Sequence, residues 1–128
     1  MEQPHIYVVD DDDAFRKSLK RLLCSIGYFA EDFSSAQCFL DSVSVYNKKD
    51  VLILDLRMPG MDGFKLQERL TELRSELKII FITADARSGD RDHAIESGAI
   101  GFLQKPFQEE SLLELISQAM EIEKANNK

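Results

Sequence analysis

With 128 residues, 44% of them apolar, and no low-complexity tract, the chain is the size of one domain able to bury its own core. Sixteen Lys and Arg against 23 Asp and Glu give a formal charge of −7, which repels a phosphate backbone and argues against direct nucleic-acid binding by this chain. No apolar stretch approaches the roughly 18 residues a bilayer span requires, and Met1-Glu2-Gln3-Pro4-His5 runs into a strand without a signal-peptide layout, so a cytoplasmic protein with no membrane contact is expected.

In chain order, Ile6-Tyr7-Val8-Val9 is apolar at every position and predicts a strand covered on both faces. The acidic run Asp10 to Asp13 follows. Phe15, Leu19, Leu22, Leu23 and Ile26 then recur at helical spacing, and Gly27 suits the stop of that helix. Tyr28 to Phe33, a weaker run carrying Glu31 and Asp32, suits an edge strand. Ala36, Phe39, Leu40 and Val43 predict a second helix, with Ser34 and Gln37 at capping-box spacing. Val51-Leu52-Ile53-Leu54 is a third buried strand ending in Asp55. Asp62-Gly63 reads as a turn before a third helix marked by Leu66, Leu70, Leu73 and Leu77. Ile79 to Ile82 is a fourth strand, followed by Thr83. A short polar helix covers Asp90 to Ser97 before Gly98. Ile100 to Leu103 is a fifth strand before Lys105, and Leu112, Leu115, Ile116, Ala119 and Met120 mark a fifth helix. The whole chain, 1–128, reads as a single domain with a core from about 5 to 122 and a polar tail or linker start at 123–128. Cys24 and Cys38 lie in helical patterns with no Cys or His at metal-ligand spacing and read as small core residues in a reducing compartment.

Five alternating strands and helices predict an α/β, doubly wound (βα)5 architecture, a five-stranded parallel sheet between helix layers joined by right-handed crossovers. With the second strand at the edge, the expected order is 2-1-3-4-5. The crevice then opens beyond the C-terminal ends of strands one and three, where Asp10, Asp11 and Asp55 fall.

Three carboxylates in one crevice repel, by about 3 kcal/mol for a pair about 5 Å apart at an effective dielectric near 20. Either one is protonated or a cation lies among them. An oxygen-only, partly open donor set suits Mg²⁺, with Mn²⁺ as a substitute. Phosphoryl transfer requires positioning and charge neutralisation, and the other residues at strand ends supply them. Asp55 would be the nucleophile, Lys105 a charge on one phosphoryl oxygen and Thr83 a hydroxyl donor to another. Ala84 is small enough to leave a donor access to Asp55.

The elements Val9-Asp10-Asp11, Leu54-Asp55-Leu56-Arg57-Met58-Pro59-Gly60-Met61-Asp62-Gly63, Ile82-Thr83-Ala84 and Lys105-Pro106-Phe107, in this order and spacing, resemble a receiver (CheY-like) domain of a two-component response regulator. The resemblance runs from His5 to about Ile122. Arg16-Lys17-Ser18-Leu19, with Arg57 two residues after the acceptor, is similar to the FixJ-like branch, whose members carry a C-terminal DNA-binding domain. The resemblance implies a CheY-like (flavodoxin-like) fold and a sensor histidine kinase as phosphodonor. It implies a metal held by Asp10, Asp11, Asp55 and the backbone carbonyl of Arg57, and phosphoryl stabilisation by Thr83, the Ala84 backbone and Lys105. It further implies a cis peptide bond before Pro106, and a switch in which Thr83 moves inward and Phe102 follows. The face made by the fourth helix, fifth strand and fifth helix would then change partners, with a phosphorylation-dependent homodimer as one outcome. The chain would be a switch and not a turnover enzyme, acting on transcription through a further domain or as a stand-alone regulator or phosphorelay intermediate.

Other readings meet obstacles in the same residues. An acidic run before a helix is commonly a solvated cap, a role assigned here to Asp12 and Asp13 while Asp10 and Asp11 are read as ligands. An aspartate-nucleophile phosphatase of the haloacid-dehalogenase type needs a second aspartate two residues after the first, where this chain has Arg57. A flavodoxin-like FMN protein must cradle a phosphate in its first loop, which Asp10 to Asp13 would repel. An EF-hand lacks its alternating ligands and distal Glu. His5 and His93 have no partner at useful spacing and are not read as phosphohistidines.

Overall fold

The computed structural model describes residues 4–126; the leader-free reading of residues 1–3 and the last two positions of the polar tail lie outside them. The order is β1 (His5–Val9), α1 (Asp13–Ile26), β2 (Phe29–Phe33), α2 (Ala36–Ser42), β3 (Val51–Asp55), α3 (Gly63–Glu72), β4 (Lys78–Thr83), α4 (Asp90–Glu96), β5 (Gly101–Gln104) and α5 (Glu109–Asn126). The strands form one sheet in the order β2-β1-β3-β4-β5, every neighbouring pair parallel.

The unbroken apolar runs are explained by two cores. Ile6, Val8, Ile53, Ile80 and Ile82 pack with Leu19 and Leu23 of α1 and Leu112 and Ile116 of α5. The alternate positions Tyr7, Val9, Leu52, Leu54 and Phe81 pack with Phe39 of α2, Leu66 and Leu70 of α3 and Ala94 of α4. Each fully buried Leu or Ile in these layers contributes on the order of 1.5–3 kcal/mol, so a strand apolar on both faces is held from both sides.

Helix ends follow local chemistry. Asp12 caps α1 by accepting from the backbone N–H of Phe15 at 3.1 Å, and Gly27, at φ 110°, ends it in the left-handed region. Four expectations are corrected. Ser35, not Ser34 with Gln37, caps α2: its hydroxyl accepts from the Cys38 N–H at 3.0 Å, while Gln37 bonds Asp41 one turn on. Asp62-Gly63 is not merely a turn, since Asp62 caps α3 through the Lys65 N–H at 2.8 Å and Gly63 is its first residue. Cys24 and Cys38 are exposed, because each sits beside the buried stripe of its helix and not on it. Ile26, the last residue of α1, and Leu73, the C-cap residue of α3, read as stripe members, are also exposed.

Candidate functional site

The parallel sheet brings the C-terminal ends of β1, β3, β4 and β5 to one edge, and the chain reverses direction between β1 and β3. Asp10 follows β1 and is fully buried; Asp55 ends β3 at 5% exposure; Asp11 is exposed at the rim. Each of the three offers a carboxylate oxygen, and these oxygens all lie within 4.8 Å of one another.

Asp10 is fixed on every side. Its Oδ1 accepts from the Asp12 N–H at 2.9 Å and its Oδ2 from Lys105 Nζ at 2.7 Å. Its backbone carbonyl accepts from Arg16 Nη1 at 3.0 Å, and its N–H donates to the Phe33 carbonyl. Lys105 thus rests on Asp10, with its ammonium also 4.0 Å from the centre of the Phe15 ring. The Lys105–Pro106 peptide bond is cis.

Burial, and then the negative charge of Asp10, push the Asp55 carboxyl up to about 8, and the Lys105 charge only partly opposes them. The backbone around Asp55 is equally confined. A Cβ on Gly63 would stand 2.7 Å from the Asp55 carbonyl oxygen and 3.0 Å from Leu56 Cα, so the first turn of α3 packs directly against the end of β3. Only glycine permits that approach.

Thr83, the last residue of β4, is fully buried, and its hydroxyl accepts from the Asp85 N–H at 3.1 Å, leaving its own proton free to donate. Its carbonyl accepts from the Lys105 N–H at 2.7 Å, so the two strand ends are joined. Ala84 is exposed beside it. Phe102 lies opposite Phe81 in the β4–β5 register, 5% exposed, with the Arg91 guanidinium 5.1 Å from its ring centre. Arg57 follows β3, and its side chain leaves the crevice to meet Asp90, the first residue of α4, at 2.5 Å. His5 lies 2.7 Å from Glu31 and His93 stacks on Phe64, both outside the acidic crevice.

Sequence reasoning missed four of these residues. Arg16 was noted only as part of a family-like stretch, yet it is 7% exposed and bonds Asp32 at 2.7 Å, Asp13 at 2.7 Å and the Asp10 carbonyl. A signal existed: Arg16 lies on the same stripe as Leu19 and Leu23, where a buried cation requires an acidic partner such as Asp32. Phe15 was read only as core, Asp90 only as a helix start and Gly63 only as a turn residue.

Among the described residues no helix is long and apolar enough to cross a membrane. Residues 6–117 match the family of response regulator receiver domains. The chain is 43% identical over 117 residues to the response regulator protein TodT of Pseudomonas putida, covering 91% of this chain and 51% of that protein. It is 40% identical over 119 residues to the transcriptional regulatory protein FixJ of Bradyrhizobium diazoefficiens, covering 91% of this chain and 56% of that one. It therefore spans about half the length of these curated relatives. The crystal structure of FixJ-N superposes with a TM-score of 0.84 at 34% identity, covering 94% of this chain and 96% of that one. The response regulator StyR gives a TM-score of 0.86 at 39% identity, covering 98% and 63%. With its CheY-like fold, its acidic crevice and relatives of the FixJ-like branch, the chain belongs to the response regulator receiver domains of two-component systems.

Proposed function

We propose that this receiver is a phosphorylation switch in which Asp55 accepts a phosphoryl group from the phosphohistidine of a sensor histidine kinase. The observation that carries this reading is the burial of Asp55 beside Asp10 and Asp11, their oxygens within 4.8 Å of one another, at the edge where Thr83 and Lys105 also lie. In the transfer a carboxylate oxygen of Asp55 forms the new O–P bond as the donor's P–N bond breaks. The imidazole leaves neutral because its other nitrogen already carries a proton. Lys105 places positive charge on one phosphoryl oxygen, and the Thr83 hydroxyl and the Ala84 backbone N–H donate to others.

The donor set fits Mg²⁺, or Mn²⁺ in its place, held by Asp10, Asp11, Asp55 and the backbone carbonyl of Arg57, all hard oxygen ligands. A carboxyl pushed up to about 8 is a poor nucleophile at neutral pH until positive charge is added beside it. When bound, the ion neutralises the carboxylates and shields the incoming phosphoryl oxygens. The aspartate-nucleophile phosphatase reading is weaker, because the acid–base position is Arg57 and its guanidinium is engaged by Asp90.

The chain acts as one receiver domain, residues 1–128 with a core of about 5–122, in the cytoplasm, and is a switch and not a turnover enzyme. Its output is the α4-β5-α5 face, which changes partners on phosphorylation and supports a homodimer. TodT is a response regulator and FixJ a transcriptional regulator, which favours transcriptional output through a DNA-binding domain outside this sequence over a stand-alone regulator or phosphorelay intermediate. The chain itself contacts neither nucleic acid nor membrane.

Incubation with acetyl phosphate and Mg²⁺ should add one phosphate per chain, and Asp55→Asn should abolish it. Chelation of the metal should stop labelling. Undiminished labelling of the Asn variant would remove Asp55 from its role, and full labelling in chelator would remove the metal.

A further inference from the structure

We propose that Phe15 is a positioning residue of the phosphoacceptor site, its ring holding the Lys105 ammonium at the crevice before the phosphoryl group arrives. The inference rests on the reading of Asp55 as the phosphoacceptor. Lysine carries its charge on a flexible four-carbon stem, so an ammonium that must meet a phosphoryl oxygen gains from being fixed beforehand. Here two groups fix it. Asp10 Oδ2 takes one N–H at 2.7 Å, and the face of Phe15 lies 4.0 Å from Nζ. A cation over an aromatic face is drawn to the negative side of the ring quadrupole, and more strongly where water is scarce, as for a Lys105 side chain only 13% exposed.

Phe15 is itself well anchored. Its backbone N–H donates to the Asp12 cap, which sets it in the first turn of α1. Phe107, two residues after Lys105, meets the Phe15 ring edge-on, with centroids 6.0 Å apart and planes at 82°. One loop therefore grips the same ring twice, through the ammonium of Lys105 and the ring of Phe107. A packing residue alone would need only volume; the ammonium needs the π face. Leucine fills much of that volume without a π face, and tyrosine keeps one.

The test uses the whole chain, with acetyl phosphate as donor and Mg²⁺ at saturation. Phe15→Leu should slow the labelling of Asp55 by about fivefold to thirtyfold, the range a partly desolvated cation–π contact spans, and Phe15→Tyr should restore it. Proton NMR without donor supplies a readout that packing does not move. The Lys105 ε-methylene signals should lie upfield of the ordinary lysine position in the parent and in Phe15→Tyr, and return to it in Phe15→Leu. Labelling of the Leu variant at the parental rate, or unshifted ε-methylene signals in the parent, overturns the proposal. So does a Tyr variant that keeps the shift but labels as slowly as Leu. A parent that takes no label overturns the functional reading and the positioning role with it, and the donor-free NMR spectra distinguish that failure from loss of the ring contact.

Discussion

Arg57, two residues after Asp55, bonds Asp90, the first residue of α4, at 2.5 Å, so the loop leaving β3 is tied directly to that helix. Asp90 Oδ2 also accepts the Arg87 N–H at 2.8 Å. The tie matters because α4 has only seven residues and its N-cap, Gly89, offers no side-chain hydrogen bond. Asp90→Asn keeps an oxygen for Arg87 and removes the charge that holds Arg57. A partly buried pair of this kind is worth about 1 kcal/mol, so amide hydrogen exchange across α4 should quicken by roughly fivefold. Unchanged exchange would show that α4 is held by packing alone.

Much of the fold was legible because strands apolar on both faces, helical stripes and Gly27 all record burial and backbone geometry directly. The order of the sheet followed from the weak, charged β2 run at its edge. The candidate site was legible as a placement, because its residues sit at strand ends: Asp10, Asp55, Thr83 and Lys105 each interrupt or follow an apolar run. What stayed hidden depended on tertiary approach. The need for glycine at 63 arises from the Asp55 carbonyl, eight residues earlier, and Phe15 becomes more than core only when β5 returns Lys105 across the sheet. Such contacts leave no periodic trace in the chain.

Gly63→Ala should destabilise the protein although alanine favours helix. The new Cβ would stand 2.7 Å from the Asp55 carbonyl and 3.0 Å from Leu56 Cα, backbone atoms at the end of the central strand β3 and in the buried residue that follows it, which bonds the Ile82 carbonyl. Overpacking of this kind costs about 1–3 kcal/mol, more than the helix-propensity gain at a first-turn position. Urea unfolding should register the loss, and a variant as stable as the parent would mean that α3 slides outward freely.

Asp32 anchors the buried Arg16, and their pair sets a pH dependence. Burial alone would raise the Asp32 carboxyl, but hydrogen bonds from Arg16 and Lys20, with their charges, outweigh it and hold the carboxyl below its ordinary value. The folded protein therefore binds this proton less readily than the unfolded chain does. The stabilisation is complete above the unfolded value of about 4 and is lost as pH falls through the lower folded value. Asp32→Asn leaves the guanidinium its contacts with Asp13 and the Asp10 carbonyl but removes the charge opposite its Nε, so it should cost about 1.5 kcal/mol at pH 7, and the gap to the parent should narrow below about pH 4. A gap independent of pH would assign the effect to packing.

Thr83 and Phe102 should couple the phosphoryl group to α4. Thr83 is fully buried at the end of β4, and Phe102, on the neighbouring strand, lies under the Arg91 guanidinium of α4. The Thr83 hydroxyl now accepts from the Asp85 N–H; drawn toward a phosphoryl group it would give up that bond and vacate space for the aromatic ring, which would move Arg91 and its helix. Two states of one packed core would result. Moving from about 1:99 to 99:1 requires the phosphoryl group to favour the active state by roughly 5.5 kcal/mol, and a few charge-assisted hydrogen bonds at about 1.5–3 kcal/mol each supply that. Thr83→Ala should therefore still take phosphate on Asp55, yet the amide signals of Asp90 to Leu103 should hardly respond to it. A full response in that variant would break the link through Thr83 while leaving the phosphorylation site intact.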